Sequence, residues 1–292
     1  MVDYNDKEWW SVIFRFHKAD TFRKLFPVIL CIGLFSFIVA WLEKSYAHGF
    51  DTHLKNLGVL HSILGFALSM LLVFRTNTAY DRWWEGRKLW GALVNNSRNL
   101  AIKLAALLPQ EKGDDRAFFN VMISNYAFVL KNHLRKKQVE HEFEEHGELD
   151  KEYISNFKHQ PNKIASAMTL RLVSLQRQGT LSNNDMLMLN NEFSSFTDIC
   201  GGCERIANTP IPFSYSSFIK KFIALYILSL PIGYVITLGY YVIPVVMFVS
   251  YVLLSLEMIA EEVENPFGMD ANDLPTDQIA AGIRTSVHDI FE

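Results

Sequence analysis

Charge is missing from three long stretches of this chain, and that absence decides more than any residue present. No Asp, Glu, Lys or Arg occurs from Leu25 to Leu42, from Leu57 to Phe74, or from Phe222 to Leu256. A bilayer core needs about 20 predominantly apolar residues of helix, so each of the first two stretches suits one crossing and the third is nearly long enough for two. Gly239, Tyr240 and Pro244 bring turn chemistry to the middle of the third stretch, which is therefore expected to fold as a hairpin of two spans.

Other shortages narrow the function. Three cysteines exclude a disulfide framework and fit a reducing compartment. A formal net charge of −3 gives no ground for nucleic-acid binding or for a strongly charged partner. Strand signals, repeats and low-complexity tracts are absent, and no nucleophile triad, phosphate loop or zinc-helix motif stands out, so the chain reads as all-α and not as an enzyme. The opening "MVDYNDKEWW" is acidic and carries tryptophan, and the first apolar run is of span length, so no cleavable signal peptide is expected.

What is present orients the spans. Arg15, Lys18, Arg23 and Lys24 precede the first, Arg75, Arg82, Arg87 and Lys88 follow the second, and Lys220 and Lys221 precede the third. The connection Glu43 to Asn56 holds only Lys44 and Lys55, so the excess of basic residues places both termini and the long middle in the cytoplasm. The expected layout is a cytoplasmic N-terminal segment (1–24), transmembrane helices one and two (25–74), a cytoplasmic helical domain (75–221), transmembrane helices three and four (222–256) and a cytoplasmic tail (257–292).

Within the middle, apolar residues recur at spacings of three and four in "KLWGALVNNSRNLAIKLAALL" and "AFFNVMISNYAFVLKNHL", the helical period. "PQEKGDD" breaks the two helices, and Arg135 to Lys163 reads as a charged surface connector. A helix from Ile164 to Gln176, another opening after the capping residue Ser182, and a short amphipathic piece ending at Phe291 complete the reading.

Several positions stand out. Phe66, Met70 and Phe74 are four apart and share one face of span two, with the small pair Gly65 and Ser69 on a neighbouring face. Lipid contact and helix packing account for such a stripe; alternatively it faces an axis shared by several copies of the chain, where stacked apolar rings constrict a pore. The stripe turns polar at Asn77 and Thr78, with Asp81 and Arg82 one turn on. His61 lies at membrane depth, where an ionisable group faces protein or water rather than lipid. In "YDRWWEGR", interfacial anchoring suits a lone tryptophan better than Trp83 and Trp84 set among four charges. Cys200 and Cys203 in "CGGC" form a redox or metal pair only with a thioredoxin-like βαβ context or a second pair, and the sequence offers neither.

"FRTNTAYDRWWEGRKLWG", "ERIANTPIPFSY" and "NPFGMDANDLP", in that order, closely resemble the bacterial branch of the bestrophin family. The resemblance implies a homopentameric ion channel of the bacterial inner membrane. Each subunit would carry four transmembrane helices and a cytoplasmic helical domain, the ring enclosing one central pore for small monovalent ions, chloride or other anions. Gap-free matching from Arg82, Trp83 and Trp84 sets the family's apolar neck at Phe66, Met70 and Phe74. Met70 stands where animal relatives carry an aromatic, which keeps a cation (sodium) selective channel of the same architecture as the alternative. A second, cytoplasmic aperture matches Asn184. The family's calcium clasp matches the Asn265 carbonyl with the carboxylates of Asp270 and Asp273, Gly268 permitting the turn. The thinned acidic run "MDAND" leaves a capping or turn role for these aspartates open and requires no cofactor for conduction. Expected partners are further copies of the chain, the lipid bilayer and permeating ions. A membrane-bound CxxC redox protein and a membrane-anchored scaffold are the readings from other classes.

Overall fold

The computed structural model describes residues 21–46, 57–137, 142–147 and 150–292. Arg15, Lys18 and most of the connection before span two therefore lie outside the described residues. Every extended element among those described is a helix. They are α1 (Thr21–Tyr46), α2 (Leu57–Leu107), α3 (Gly113–Leu134), α4 (Lys151–Ser155), α5 (Gln160–Arg177), α6 (Asn183–Asn208), α7 (Phe213–Leu238), α8 (Val242–Glu264) and α9 (Thr276–Phe291), with a 3₁₀ turn at Gly239–Tyr241. They form two compact units, and the division falls inside α2 between Arg82 and Trp83.

The first unit holds α1, α2 up to Arg82, α7 and α8. By length and apolarity three helical stretches among the described residues suffice to cross a membrane: Thr21–Tyr46, Gly58–Leu107 and Phe213–Glu264. The third reverses at Gly239, whose φ of 53° is a conformation that glycine adopts without a Cβ clash. Lys220 near the start of α7 consequently pairs with Glu261 near the end of α8 at 2.9 Å, so the expected hairpin is present. α1 runs antiparallel to α8, Thr21 meeting Ser255 and Ala40 packing with Val242. Leu68 and Leu72 of α2 share a cluster with Ile219, Ile223 and Ile227 of α7. Gly65 allows that close approach: a Cβ there would stand 2.7 Å from the Tyr226 hydroxyl oxygen, which makes it a packing residue.

In the second unit α3 is the core helix, buried almost without interruption from Phe118 to Asn132. It shares one apolar cluster with Trp90, Leu93, Leu100 and Leu104 of α2, Met168 and Leu172 of α5, Phe196 and Ile199 of α6, and Ile283 and Val287 of α9. Tyr126 meets Phe196 edge-on at 4.8 Å and donates its hydroxyl to the Phe196 carbonyl at 2.7 Å, satisfying the one polar atom it brings inside. Arg116 closes the end of α2 by donating to the carbonyls of Ala105 and Leu108. Ser182 caps α6 as expected, in a reciprocal box with Asp185.

The charged connector departs from its reading. Phe143 and Ile154 are buried in it, α4 forms with Asp150 as its cap, and α5 begins at Gln160 rather than Ile164. The polar string "HQPNK" masked that start: His159 accepts from the Asn162 N–H as an N-cap, and Pro161 suits a first turn because no amide hydrogen is needed there.

Lys131 is buried, and Glu142 at 2.6 Å and Asp277 at 2.9 Å neutralise it. The Arg135 guanidinium, with Lys131 beside it, holds the Asp277 carboxyl well below the ordinary carboxylate range. A depressed native pKa contributes stability that is complete above the ordinary Asp range, about pH 4, and is lost as pH falls through the native value. Asp277→Asn is therefore expected to destabilise the protein near neutral pH, with a penalty that shrinks as pH falls below about 4. Because the Asp277 side chain is 57% exposed, screening holds the effect to about 1 kcal/mol. Thermal melts of both proteins across that range check it.

Candidate pore-lining face and motif contacts

α2 carries two opposed faces within the first unit. At 100° per residue, His61, Leu68, Leu72, Arg75 and Ala79 fall on one side, and all five are buried. Phe66, Met70 and Phe74 fall on the other, where each is left exposed, at 67%, 46% and 57%. Asn77 and Asp81 continue the exposed strip beyond Phe74, so it changes from apolar to polar along one helix. His61 belongs to the packed side: its Nε2 lies 2.9 Å from Ser229 Oγ, and its ring lies between Tyr226 and Tyr234. That is interhelical hydrogen bonding of the kind an ionisable group needs among apolar residues.

Arg75 closes the apolar stretch. It is 1% exposed, 2.7 Å from Glu264 and 3.6 Å from Glu257, both on α8. The longer contact is an ion pair without a hydrogen bond, and neither Glu257 oxygen has a hydrogen-bond partner. Glu264 also accepts from the Ile211 amide at 2.8 Å, and its carbonyl accepts from Arg82 Nε at 3.0 Å. Arg82 and the "TPIPFSY" string thus both fasten to the end of α8. Sequence patterning gave no sign of the Arg75, Glu257 and Glu264 cluster, because its members lie on helices far apart in the chain.

In the second unit, Trp83 packs against the core while Trp84 stays exposed. Gly86 serves close approach: a Cβ there would lie 3.1 Å from the Phe267 ring and 3.2 Å from Pro266. Those residues open the third motif, "NPFG", and Arg135 Nε donates to the Phe267 carbonyl at 3.3 Å. Asn184 lies exposed in the first turn of α6. Of the three calcium-clasp positions, Asn265 and Asp270 belong to the first unit and are exposed. Asp273 belongs to the second and is 2% exposed. Asp270 already acts electrostatically on Lys24, whose ammonium also pairs with Glu262 at 2.5 Å. A cation of the protein's own therefore shares the field that a divalent ion would need, which fits a resident calcium poorly.

The "CGGC" string has a packing explanation. Gly202 admits Leu89, whose methyl carbons would stand 3.0 Å from an added Cβ, and Cys200 and Cys203 are buried beside it. Burial pushes the Cys200 thiol up to about 12 and raises Cys203 as well, the reverse of an activated nucleophile. Relative to an ordinary thiol, Cys200 is expected to react with a water-soluble maleimide about a thousandfold more slowly in the folded protein than in denaturant, because only the thiolate reacts. Rapid labelling of the native protein would restore the redox reading.

A chain whose described elements are helices, with stretches long and apolar enough to cross a membrane and one long helix showing an apolar and then polar open strip, is the class defined so far. The chain belongs to the bestrophin family: it matches the bacterial and fungal bestrophin proteins over residues 1–289. Among its relatives, a voltage-dependent anion channel-forming protein of Nostoc sp. is 33% identical over 294 residues, covering 97% of this chain and 92% of the relative. The voltage-dependent anion channel-forming protein YneE of Escherichia coli K12 is 33% identical over 286 residues, covering 97% and 91%. A crystal structure of a bacterial bestrophin homolog from Klebsiella pneumoniae superimposes with a TM-score of 0.82 at 30% identity, covering 90% of this chain and 97% of that one.

Proposed function

We propose that this chain forms a homopentameric channel for small monovalent ions, chloride or other anions foremost, in the cell membrane. Each subunit crosses four times, through α1, the apolar half of α2, α7 and α8, with both termini cytoplasmic. Phe66, Met70 and Phe74 form the neck, Asn77 and Asp81 open into a cytoplasmic vestibule, and Asn184 rings its exit. The observation that carries the reading is the uncovered strip on α2. Its opposite face is buried against α7 and α8 while Phe66, Met70 and Phe74 stay exposed within the chain, which suits contact with a bilayer or with other copies. One four-span subunit cannot enclose a water path with a single helix, whereas a head-to-tail interface that closes by rotation can. The anion channel-forming names of the relatives support conduction and its sign. Met70 in place of an aromatic keeps sodium selectivity as the second reading, because it removes one ring edge from the neck.

Conduction is proposed to need no cofactor. Asn265, Asp270 and Asp273 are assigned a role in tail assembly rather than in the ion path. Purified protein in liposomes tests the whole reading. Chloride flux without ATP or an electron donor, unchanged by a calcium chelator, is the expected result. Sodium flux in its place selects the second reading, and no flux of either ion from a well-assembled ring rejects the channel.

A further inference from the structure

Among the described residues, one group of histidine and carboxylate side chains converges as metal ligands do. His133, His159 and Glu204 bring their donor atoms within 4.8 Å of one another. His133 Nε2 lies 2.7 Å and His159 Nε2 3.0 Å from the same Glu204 oxygen, and the two imidazoles are tilted at 4.7 Å. We propose that these three side chains form a zinc-class divalent-metal site in the second unit, with the fourth position left to solvent.

The donor set is two neutral imidazoles and one carboxylate, a combination that suits Zn²⁺ and borderline ions rather than the oxygen-seeking Ca²⁺ or Mg²⁺. A tetrahedral zinc ion with bonds of about 2.0–2.1 Å sets its ligand atoms about 3.3 Å apart. The two nitrogen-to-oxygen spacings therefore need to open by about 0.3–0.6 Å. Three helices supply the residues, each at or near an end: His133 in the last turn of α3, Glu204 in the closing part of α6, and His159 as the N-cap of α5. Two of those are helix C-termini, where exposed carbonyl dipoles favour a cation, against one N-terminus, whose dipole opposes it. The residues are partly open, with side-chain exposures of 22%, 35% and 28% for His133, His159 and Glu204, and they border a cavity of about 310 Å³. An ion can therefore enter and keep a water ligand. Lys136 and Lys158 line the same cavity, which suits an anionic fourth ligand better than a second metal. Metal on His159 Nε2 moves the ring proton to Nδ1, giving up the long 3.3 Å bond from Asn162, a small loss beside a metal–nitrogen bond. In the metal-free protein the same geometry reads as a hydrogen-bonded cluster that ties three helices, so the test must detect the ion itself.

The experiment uses untagged, full-length, assembled protein in detergent, stripped with a chelator and titrated with Zn²⁺ against a chromophoric competitor. Expected are one zinc per chain, a Co²⁺ derivative with the intense visible bands of a four-coordinate ion, and a melting temperature raised by zinc. His133→Gln and Glu204→Gln, made separately, should each weaken binding by at least about a hundredfold and abolish the zinc-dependent rise. Sub-stoichiometric zinc in the wild-type protein, or a pale six-coordinate Co²⁺ spectrum, overturns the site without recourse to any variant. Unchanged affinity in both folded variants overturns it equally.

Discussion

Replacing Phe66, Met70 and Phe74 together by alanine should raise single-channel conductance about tenfold, equivalent to removing about 1.4 kcal/mol from the barrier to ion passage. Apolar side chains cannot replace an ion's hydration shell, so a ring of them acts through its width and through dewetting rather than as a binding site. Alanine widens the path and admits water throughout, which should also shorten closures. The substitutions are well suited to the test. All three side chains are exposed within the chain, so no cavity opens in its core, and alanine is the strongest helix former. Anion-to-cation preference should change less than conductance. The ring edge of phenylalanine is electropositive and its face electronegative, so edge-on rings favour anions, but the polar strip at Asn77 and Asp81 would add its own field. Single-channel recording of the assembled triple mutant in planar bilayers checks the prediction. Equal or smaller current would return the stripe to lipid contact.

Loss of Arg75 should be the most damaging single change in the first unit. Arg75→Ala leaves Glu257, 5% exposed, and much of Glu264 without their counter-charge at the end of the apolar stretch. Breaking a buried ion pair by removing one partner costs about 3–5 kcal/mol, far more than the intact pair is worth against an apolar replacement. The expected result is a large fall in the thermal stability of the assembled protein in detergent. Adding Glu257→Gln to Arg75→Ala should recover part of the loss, because a neutral amide is cheaper to bury than an unpaired carboxylate. A variant as stable as the wild type would mean that the cluster is hydrated and contributes little.

The helical segments and the stripe were legible in the sequence because both are periodic signals. Uncharged runs of span length, the glycine reversal at Gly239 and the Ser182 cap each leave a local mark that the structure reproduces. Contacts between distant segments leave no such mark. Arg75 read as one of several basic residues bordering a span, yet it is buried and paired across to α8. The helical period of α3 did not mark Lys131, Asn125 and Asn132 as inward; all three are buried, Lys131 against Glu142 and Asp277 and Asn125 against the backbone of Glu144. The pairing of His133 and His159 with Glu204 was equally invisible, since the three residues stand on three helices. "CGGC" drew the eye for its cysteines, whereas its tightest constraint is Gly202, which a spacing rule cannot explain without Leu89. The connector deceived because a single buried apolar residue such as Phe143 or Ile154 has no period.

The central claim is that the face of α2 bearing Met70 lines an aqueous path shared by several copies of the chain. Met70→Cys, made with Cys31→Ala to remove the other exposed cysteine, tests it directly by applying a charged, water-soluble methanethiosulfonate reagent during single-channel recording. A side chain in a narrow water-filled neck is expected to react, and bulky charged adducts, one for each copy of the chain, should then reduce the current in steps until it stops. Unchanged current from a well-assembled, conducting ring, with the thiol still free afterwards or modified only by reagents that partition into lipid, would contradict the account.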